Sequence, residues 1–196
     1  MVMAPDDIRH KLPDRLFHWA MATLVIILLG TAFLPILGMK FDWVPIHWIS
    51  GVLLTFAILF HLYRALFIHG IDKMMPTRAD ITALVARKAA NDGAKYDLNQ
   101  KLYHWSVSSL IVILVITGAI MLAKIDTPLW NRDPSILSDW NWGLVYLCHG
   151  AASLLLIFLF ILHVYFAFLP EHRQLLIAMV FGRPTNNSND RPGAST

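Results

Sequence analysis

The chain has 196 residues, of which 57% are hydrophobic and 15% charged, with a mean hydropathy of +0.55. This balance excludes an ordinary water-soluble globular domain and predicts a protein of the bilayer. The formal net charge of +3 is small and spread over the predicted loops, which fits loops facing anionic lipid and argues against nucleic-acid binding. A single cysteine, Cys148, excludes an internal disulfide.

Four apolar segments are long enough to cross a bilayer: 16–37, 44–68, 102–123 and 142–169. We therefore predict an all-α integral membrane protein, a four-helix transmembrane bundle whose single domain covers residues 1–182. The first segment follows a charged arm and is long enough to span, so we expect no cleavable signal peptide.

Four spans place both termini on one side of the membrane. Lys and Arg are most frequent in the N-terminal arm, the 70–101 connection and the tail, which the positive-inside rule assigns to the cytoplasm.

The predicted outer loops are unequal in length. The first, 38–45, is short and makes the first two spans antiparallel neighbours. The second, 124–139, is bordered by tryptophans that we expect to form an interfacial aromatic belt: Trp130, Trp140 and Trp142.

On the cytoplasmic side, residues 77–90 carry apolar residues at helical spacing opposite basic ones, which predicts a short amphipathic surface helix capped by Thr77. A short helix is expected over 171–181. Residues 183–196 are rich in Asn, Ser, Asp, Pro and Gly, so we predict a disordered tail.

The fourth span carries His149 and His163 inside a run, 142–169, that contains no Asp, Glu, Lys or Arg. Fourteen residues correspond to roughly 21 Å of helix and return the second imidazole to nearly the same face. Ionisable side chains within a span are costly and usually serve a site. Two imidazoles at two depths therefore predict two ligands, and haem is the flat, apolar cofactor that histidine holds at its axial positions.

Matching the histidines by depth gives the partners. The second span repeats the fourteen-residue spacing, and His47 matches His149 at the outer level. The inner level has four candidates on the four spans, which the residues alone leave open: His18, His61, His104 and His163.

Glycines support the outer site, because a porphyrin against a helix requires a position without a side chain. Gly30, Gly51 and Gly118 all fall near the outer level, so we expect them to line the outer haem.

Three sequence runs and the paired histidines of the fourth span resemble the bacterial cytochrome b561 superfamily. The runs are Arg15-Leu16-Phe17-His18-Trp19, Pro45-Ile46-His47-Trp48-Ile49-Ser50-Gly51 and Lys95-Tyr96-Asp97-Leu98-Asn99-Gln100-Lys101. Within it, the chain looks most like the cytochrome b (gamma) subunit of respiratory formate dehydrogenases. The resemblance implies two haems b, with His18 and His163 as iron ligands of the inner one and His47 and His149 as iron ligands of the outer one.

His61 departs from the pattern of that superfamily and leaves a rival open. Pairing His61 with His163 on the inner haem would resemble the two-helix ligation of the cytochrome b of bc-type complexes. With His18 as the ligand, His61 is expected at the edge of the inner haem or in the quinone pocket.

The resemblance also implies a function. In such subunits, electrons enter the outer haem from an iron–sulfur partner and leave near the inner haem to a quinone. Asn99, Gln100 and Lys101 are candidate quinone ligands or ordinary loop residues, and Arg15 and Arg64 are candidates to neutralise the inner haem propionates. We therefore expect an electron-transfer and quinone-reactive subunit of the bacterial inner membrane, with no catalytic residue of its own. Its partners would be the iron–sulfur and catalytic subunits of a membrane-bound dehydrogenase.

Two alternatives stay open at this stage. One is a stand-alone cytochrome b561 that passes electrons from a periplasmic donor such as superoxide to quinone. The other is a membrane anchor whose histidines bind a metal or only pack.

Overall fold

The computed structural model describes residues 12–69, 75, 77, 82, 98–128, 130–170 and 173–182. The regular secondary structure of this part of the chain is helical, apart from an isolated bridge between Thr127 and Trp130. The helices, numbered here in chain order, are α1 Leu12–Phe33, α2 Trp43–Arg64, α3 Leu98–Met121, α4 Asp139–Phe168 and α5 Arg173–Phe181. The predicted amphipathic helix at 77–90, apart from Thr77 and Thr82, and the tail at 183–196 lie outside the described residues.

Four of these helices, α1 to α4, are long and apolar enough to cross a membrane, which confirms the prediction of four spans. Their ends differ from those expected by one to four residues. α1 already begins at Leu12 and includes Asp14 and Arg15, because charged residues that end a hydropathy segment do not by themselves end a helix. α1 stops at Phe33, two residues before Pro35, and the following turn ends at Gly38, whose φ of 92° suits glycine.

α2 continues into a π-helical turn, Ala65–His69. Pro45 is accommodated at its third residue, where a backbone N–H has no intrahelical acceptor to lose. The predicted tail helix is confirmed as α5, which is described from Arg173 to Phe181.

The chain divides into two compact units, Met1–Thr23 with Phe160–Thr196 and Leu24–Leu159, which we call the terminal and the central unit. The terminal unit contains the first half of α1, the end of α4 and α5. The central unit contains the second half of α1, α2, α3, the 124–139 loop and most of α4.

In the central unit, hydrogen bonds hold the 124–139 loop against the helix ends that it joins. The Trp130 indole donates to the carbonyl of Leu122 at 3.0 Å, and the Asp133 amide donates to that of Ala123 at 2.8 Å. The amide and the hydroxyl of Ser135 donate to Asp133 and lower the pKa of its exposed carboxyl. The loop therefore fixes where α4 begins.

Trp142 is buried, with 2% of its surface exposed, so the expected aromatic belt is wrong for this residue. Its indole donates to the Pro134 carbonyl at 2.9 Å, and the Lys124 ammonium lies 4.5 Å from the ring centroid. Trp140, by contrast, is 76% exposed, as a belt residue would be.

In the terminal unit, Arg15 of α1 binds the end of α5. Its guanidinium donates to the Met179 carbonyl at 3.0 Å and also to the Val180 carbonyl, and the Trp19 indole donates to Met179 at 3.4 Å. The last carbonyls of a helix lack intrahelical donors and carry partial negative charge, so a guanidinium stabilises them. Arg15 thereby attaches α5 to α1.

We expect Trp142→Phe to lower the melting temperature of the detergent-solubilised protein, because the Pro134 carbonyl loses its donor. A lost hydrogen bond of this kind costs about 1 kcal/mol, or about 2–4 °C for a chain of this size. The matched control is Trp140→Phe, which removes an exposed indole and should leave the melting temperature unchanged. Equal shifts in the two variants would contradict the anchoring role of Trp142.

Candidate haem site

Six histidines of the transmembrane helices form three pairs of neighbouring rings. The ring centroids are 6.2 Å apart for His18 and His163, 6.3 Å for His47 and His149, and 6.4 Å for His61 and His104. The planes within a pair are inclined by 52° to 66°. The first pair lies in the terminal unit, and the other two lie in the central unit.

These separations fit one metal ion between two imidazoles. With metal–nitrogen bonds of about 2.0 Å and ring nitrogens about 1.2 Å from their centroids, two imidazoles on opposite sides of one ion have centroids about 6.4 Å apart. Two imidazoles joined directly by a hydrogen bond would be closer, at about 5.2 Å. Each pair therefore has the spacing of a shared ion.

The donor set favours haem over a bare metal ion. Among the described residues, no group of three or more His, Cys, Asp or Glu side chains could hold a metal. A zinc or copper ion usually takes three or four protein ligands, whereas the iron of haem already has four nitrogens and needs only two. A pair of histidines between apolar helices therefore fits the axial positions of a haem.

Two threonines orient the histidines of the central His47–His149 pair. The Thr31 hydroxyl of α1 lies 2.8 Å from Nδ1 of His47 on α2. In the same way, the Thr117 hydroxyl of α3 lies 2.8 Å from Nδ1 of His149 on α4. Both threonines are buried, at 5% and 8% exposure.

The hydrogen bonds of these hydroxyls favour one tautomer of each ring. Carbonyls of their own helices are in reach of the Thr31 and Thr117 hydroxyls, at 2.8 Å for Ile27 and 2.7 Å for Ile113. When the one hydrogen of a hydroxyl is donated to such a carbonyl, its oxygen accepts a hydrogen bond from Nδ1–H of the histidine. That leaves the lone pair of Nε2 available for iron, the arrangement that orients metal-binding histidines.

Sequence analysis did not identify Thr31 or Thr117. Their spacing is the sequence signal that could have identified them. Each threonine lies thirteen residues after the histidine of a His-Trp pair, His18-Trp19 or His104-Trp105. Each threonine is also adjacent to one of the predicted haem-lining glycines, Gly30 or Gly118.

Of these glycines, Gly118 directly faces a paired histidine. A Cβ atom built on Gly118 would lie 3.5 Å from Cε1 of His149. Cβ atoms on Gly30 and Gly51 would instead contact leucine side chains, Leu34 and Leu28, at 3.8 and 4.0 Å. A role of the three glycines in lining a haem stays a prediction.

The four histidines predicted for the inner level form two separate pairs. Of the two pairings left open for His163, the structure has the one with His18. His61 lies beside His104, which the sequence interpretation had left among the inner-level candidates. Iron ligation by any of these pairs stays a prediction.

The remaining predicted residues lie near helix ends. Arg15 is engaged by the carbonyls of α5, and Arg64 is the last residue of α2 and half-buried. Asn99 and Gln100 are exposed on the first turn of α3, whereas Lys101 is buried with 5% exposure. The three candidate quinone ligands therefore differ in accessibility.

Comparisons with known proteins identify the family of the chain. Residues 9–182 match the family model described as prokaryotic cytochrome b561. The formate dehydrogenase cytochrome b556 subunit of Haemophilus influenzae is 28% identical over 180 residues, which cover 82% of this chain and 70% of that protein. The cytochrome b556(Fdn) subunit of the nitrate-inducible formate dehydrogenase of Escherichia coli K12 is 26% identical over 189 residues, covering 82% of this chain and 77% of that protein.

We expect Thr31→Val and Thr117→Val to weaken haem binding by about 10–100-fold, the usual effect of removing the hydrogen-bond partner of a metal-binding histidine. The measurement is haem retained per chain during dilution in detergent. Thr55→Val is the matched control, because within the described ranges the Thr55 hydroxyl bonds to its own helix alone, at 2.8 Å from the Gly51 carbonyl. Haem retention equal to that of the control would show that the two hydroxyls do not support the ligands.

Proposed function

Since the chain belongs to the prokaryotic cytochrome b561 family, we propose that this integral membrane cytochrome b is the electron-transfer subunit of a membrane-bound dehydrogenase. It would carry electrons across the membrane between a catalytic partner with an iron–sulfur subunit and the quinone pool. The observation that carries the proposal is the His47–His149 pair, whose ring spacing and threonine hydrogen bonds suit two axial ligands of one iron.

The proposed ligands are His47 and His149 for one haem and His18 and His163 for the other. A haem with both axial positions filled by imidazole supplies one-electron transfer and has no open site for a small ligand. The fourteen residues between His149 and His163 on α4 correspond to roughly 21 Å of helix, which supports a role in moving charge across a membrane.

The orientation follows from the distribution of Lys and Arg along the sequence. With both termini in the cytoplasm of a bacterium, His47 and His149 would face the periplasmic side of the inner membrane and His18 and His163 the cytoplasmic side. Electrons would then enter on the periplasmic side.

The names of the relatives support the partner. Both are subunits of formate dehydrogenases, so we propose a dehydrogenase of this type, with formate as its substrate and with catalytic and iron–sulfur subunits. The present chain would contribute ligands and orientation, and substrate oxidation would occur in the partner.

A quinone site is proposed at the start of α3. The side chains of Asn99 and Gln100 are exposed, and their amide N–H groups are of the kind that donates to a quinone carbonyl. The buried Lys101 would place positive charge beside that site, where a quinone takes up negative charge on reduction.

The partner is tested by isolating an affinity-tagged chain from native membranes in mild detergent. We expect catalytic and iron–sulfur subunits to co-purify, and formate to reduce haem b in the complex, seen as b-type absorption bands. His47→Ala and His149→Ala should retain the partner subunits but lose formate-dependent reduction, because they remove the haem nearest the electron donor.

Two outcomes would contradict this proposal. A chain that purifies alone and accepts electrons from a soluble donor would support the stand-alone cytochrome. A purified chain without reduced b-type bands would exclude a cytochrome altogether. His172→Ala is the control, since it replaces a histidine that belongs to none of the three pairs.

For the quinone site, we expect a quinone analogue to shift the absorption or potential of the haem assigned to His18 and His163. Gln100→Ala should abolish the shift, because it removes a hydrogen-bond donor. The matched control is Asn141→Ala, which removes an exposed amide from the first turn of α4. A shift that persists in Gln100→Ala would exclude this residue from the site.

A further inference from the structure

The starts of α1 and α3 repeat one another in sequence. Residues 15–19 read Arg-Leu-Phe-His-Trp, and residues 101–105 read Lys-Leu-Tyr-His-Trp. Three of the five positions are identical, and the other two exchange one cation or one aromatic ring for another. His104 therefore corresponds to His18.

The correspondence continues along both halves of the chain. Thr31 follows His18 by thirteen residues, as Thr117 follows His104. On the second helix of each half, His61 follows His47 by fourteen residues, as His163 follows His149. We call α1 with α2 the first copy and α3 with α4 the second copy.

Hydrogen bonds in the central unit obey the same correspondence. In the first copy, a threonine of α1 binds Nδ1 of His47, and in the second copy the equivalent threonine of α3 binds Nδ1 of His149, both at 2.8 Å. The carbonyls that accept from these threonines, Ile27 and Ile113, also occupy equivalent positions. The repeat thus extends from sequence to the orientation of side chains.

The repeat relates the third histidine pair to one of the other two. Replacing each histidine by the equivalent histidine of the other copy exchanges His47 with His149, so that this pair is unchanged. The same replacement turns the His18–His163 pair into His104 with His61, which is the third pair in the structure. The third pair is therefore the counterpart of one that the proposed function assigns to haem.

We propose that His61 and His104 are the axial ligands of a third haem b, an inference that rests on the proposed function and extends its cofactor content. The centroid separation of 6.4 Å is that of two imidazoles on one iron, and it exceeds the separation in a direct hydrogen bond between the rings. No further metal-ligating side chain completes a site for a bare ion among the described residues.

The surroundings of the pair also suit haem. His61 is exposed and His104 half-buried, so the described residues do not enclose the rings, and the apolar edge of a porphyrin can face lipid. Each ligand has a cation three residues away on its own helix, which places the two on neighbouring positions of the helix surface: Arg64 after His61 and Lys101 before His104. Two cations match the two propionates of one haem, and Lys101 is buried with 5% exposure.

The test is the number of haems per chain, measured as pyridine haemochrome against protein in the complex isolated from native membranes. We expect three haems in the wild-type chain and two in His61→Ala and in His104→Ala. The double variant should also retain two, because both residues bind the same iron. The His172→Ala control should retain three.

A second variant keeps the test decisive if the alanine variants fold poorly. His104→Met retains an iron ligand, and a histidine–methionine pair has a higher reduction potential than two histidines. We therefore expect a redox titration of His104→Met to show one of three haem transitions shifted upward, with the other two unchanged.

The possible results separate this inference from the proposed function. A wild-type count of two that neither His61→Ala nor His104→Ala changes would overturn the third haem and leave the two-haem cytochrome intact. Loss of two haems in the double variant would show that the two histidines do not share an iron. Absence of haem from the wild-type chain would overturn both proposals.

Discussion

An imidazole inside an apolar helix bundle needs a partner for each of its two nitrogens, because an unpaired buried polar group is costly. For His47 and His149, a threonine on the neighbouring helix lies at hydrogen-bond distance from Nδ1, which leaves Nε2 on the other side of the ring. This contact favours Nε2 as the atom that binds a metal. It also requires α1 to lie beside α2, and α3 beside α4, at the heights of Thr31 and Thr117.

Thr31 and Thr117 can contact the histidines while their hydroxyls stay hydrogen-bonded within their own helices. A threonine hydroxyl within a helix commonly donates to the carbonyl of the preceding turn, as both do here. The same oxygen keeps lone pairs for an approaching N–H. A single small side chain therefore satisfies its own helix and contacts a ring on the next one. Beside Thr117, Gly118 also leaves room for the ring of His149.

The helix ends are held by contacts other than the hydrogen bonds between threonine and histidine. In the central unit, the buried Trp142 and the hydrogen bonds of the 124–139 loop attach that loop to the start of α4 and to the end of α3. In the terminal unit, Arg15 binds the carbonyls at the end of α5. Because these carbonyls already engage its guanidinium, a further interaction with a haem propionate would have to use the remaining N–H donors.

The sequence by itself determined that the chain forms four spans and that histidines recur at two depths within them. Hydropathy and helical periodicity are properties of single segments, so they can be evaluated without knowing which helices are neighbours. The matching of His47 with His149 needed only the order and direction of the spans. For His163, depth alone left several partners, and the resemblance of residues 15–19 to a known family favoured His18.

Only the tertiary structure decided which rings lie together at the inner level, because helix rotation and neighbour order are set by packing between segments distant in sequence. It placed His61 beside His104, identified Thr31 and Thr117 as hydrogen-bond partners, and showed that Trp142 is buried rather than at a lipid interface. Each of these depends on a contact across helices or across a loop. The amino acids show that a polar group needs a partner, and the fold selects which one it has.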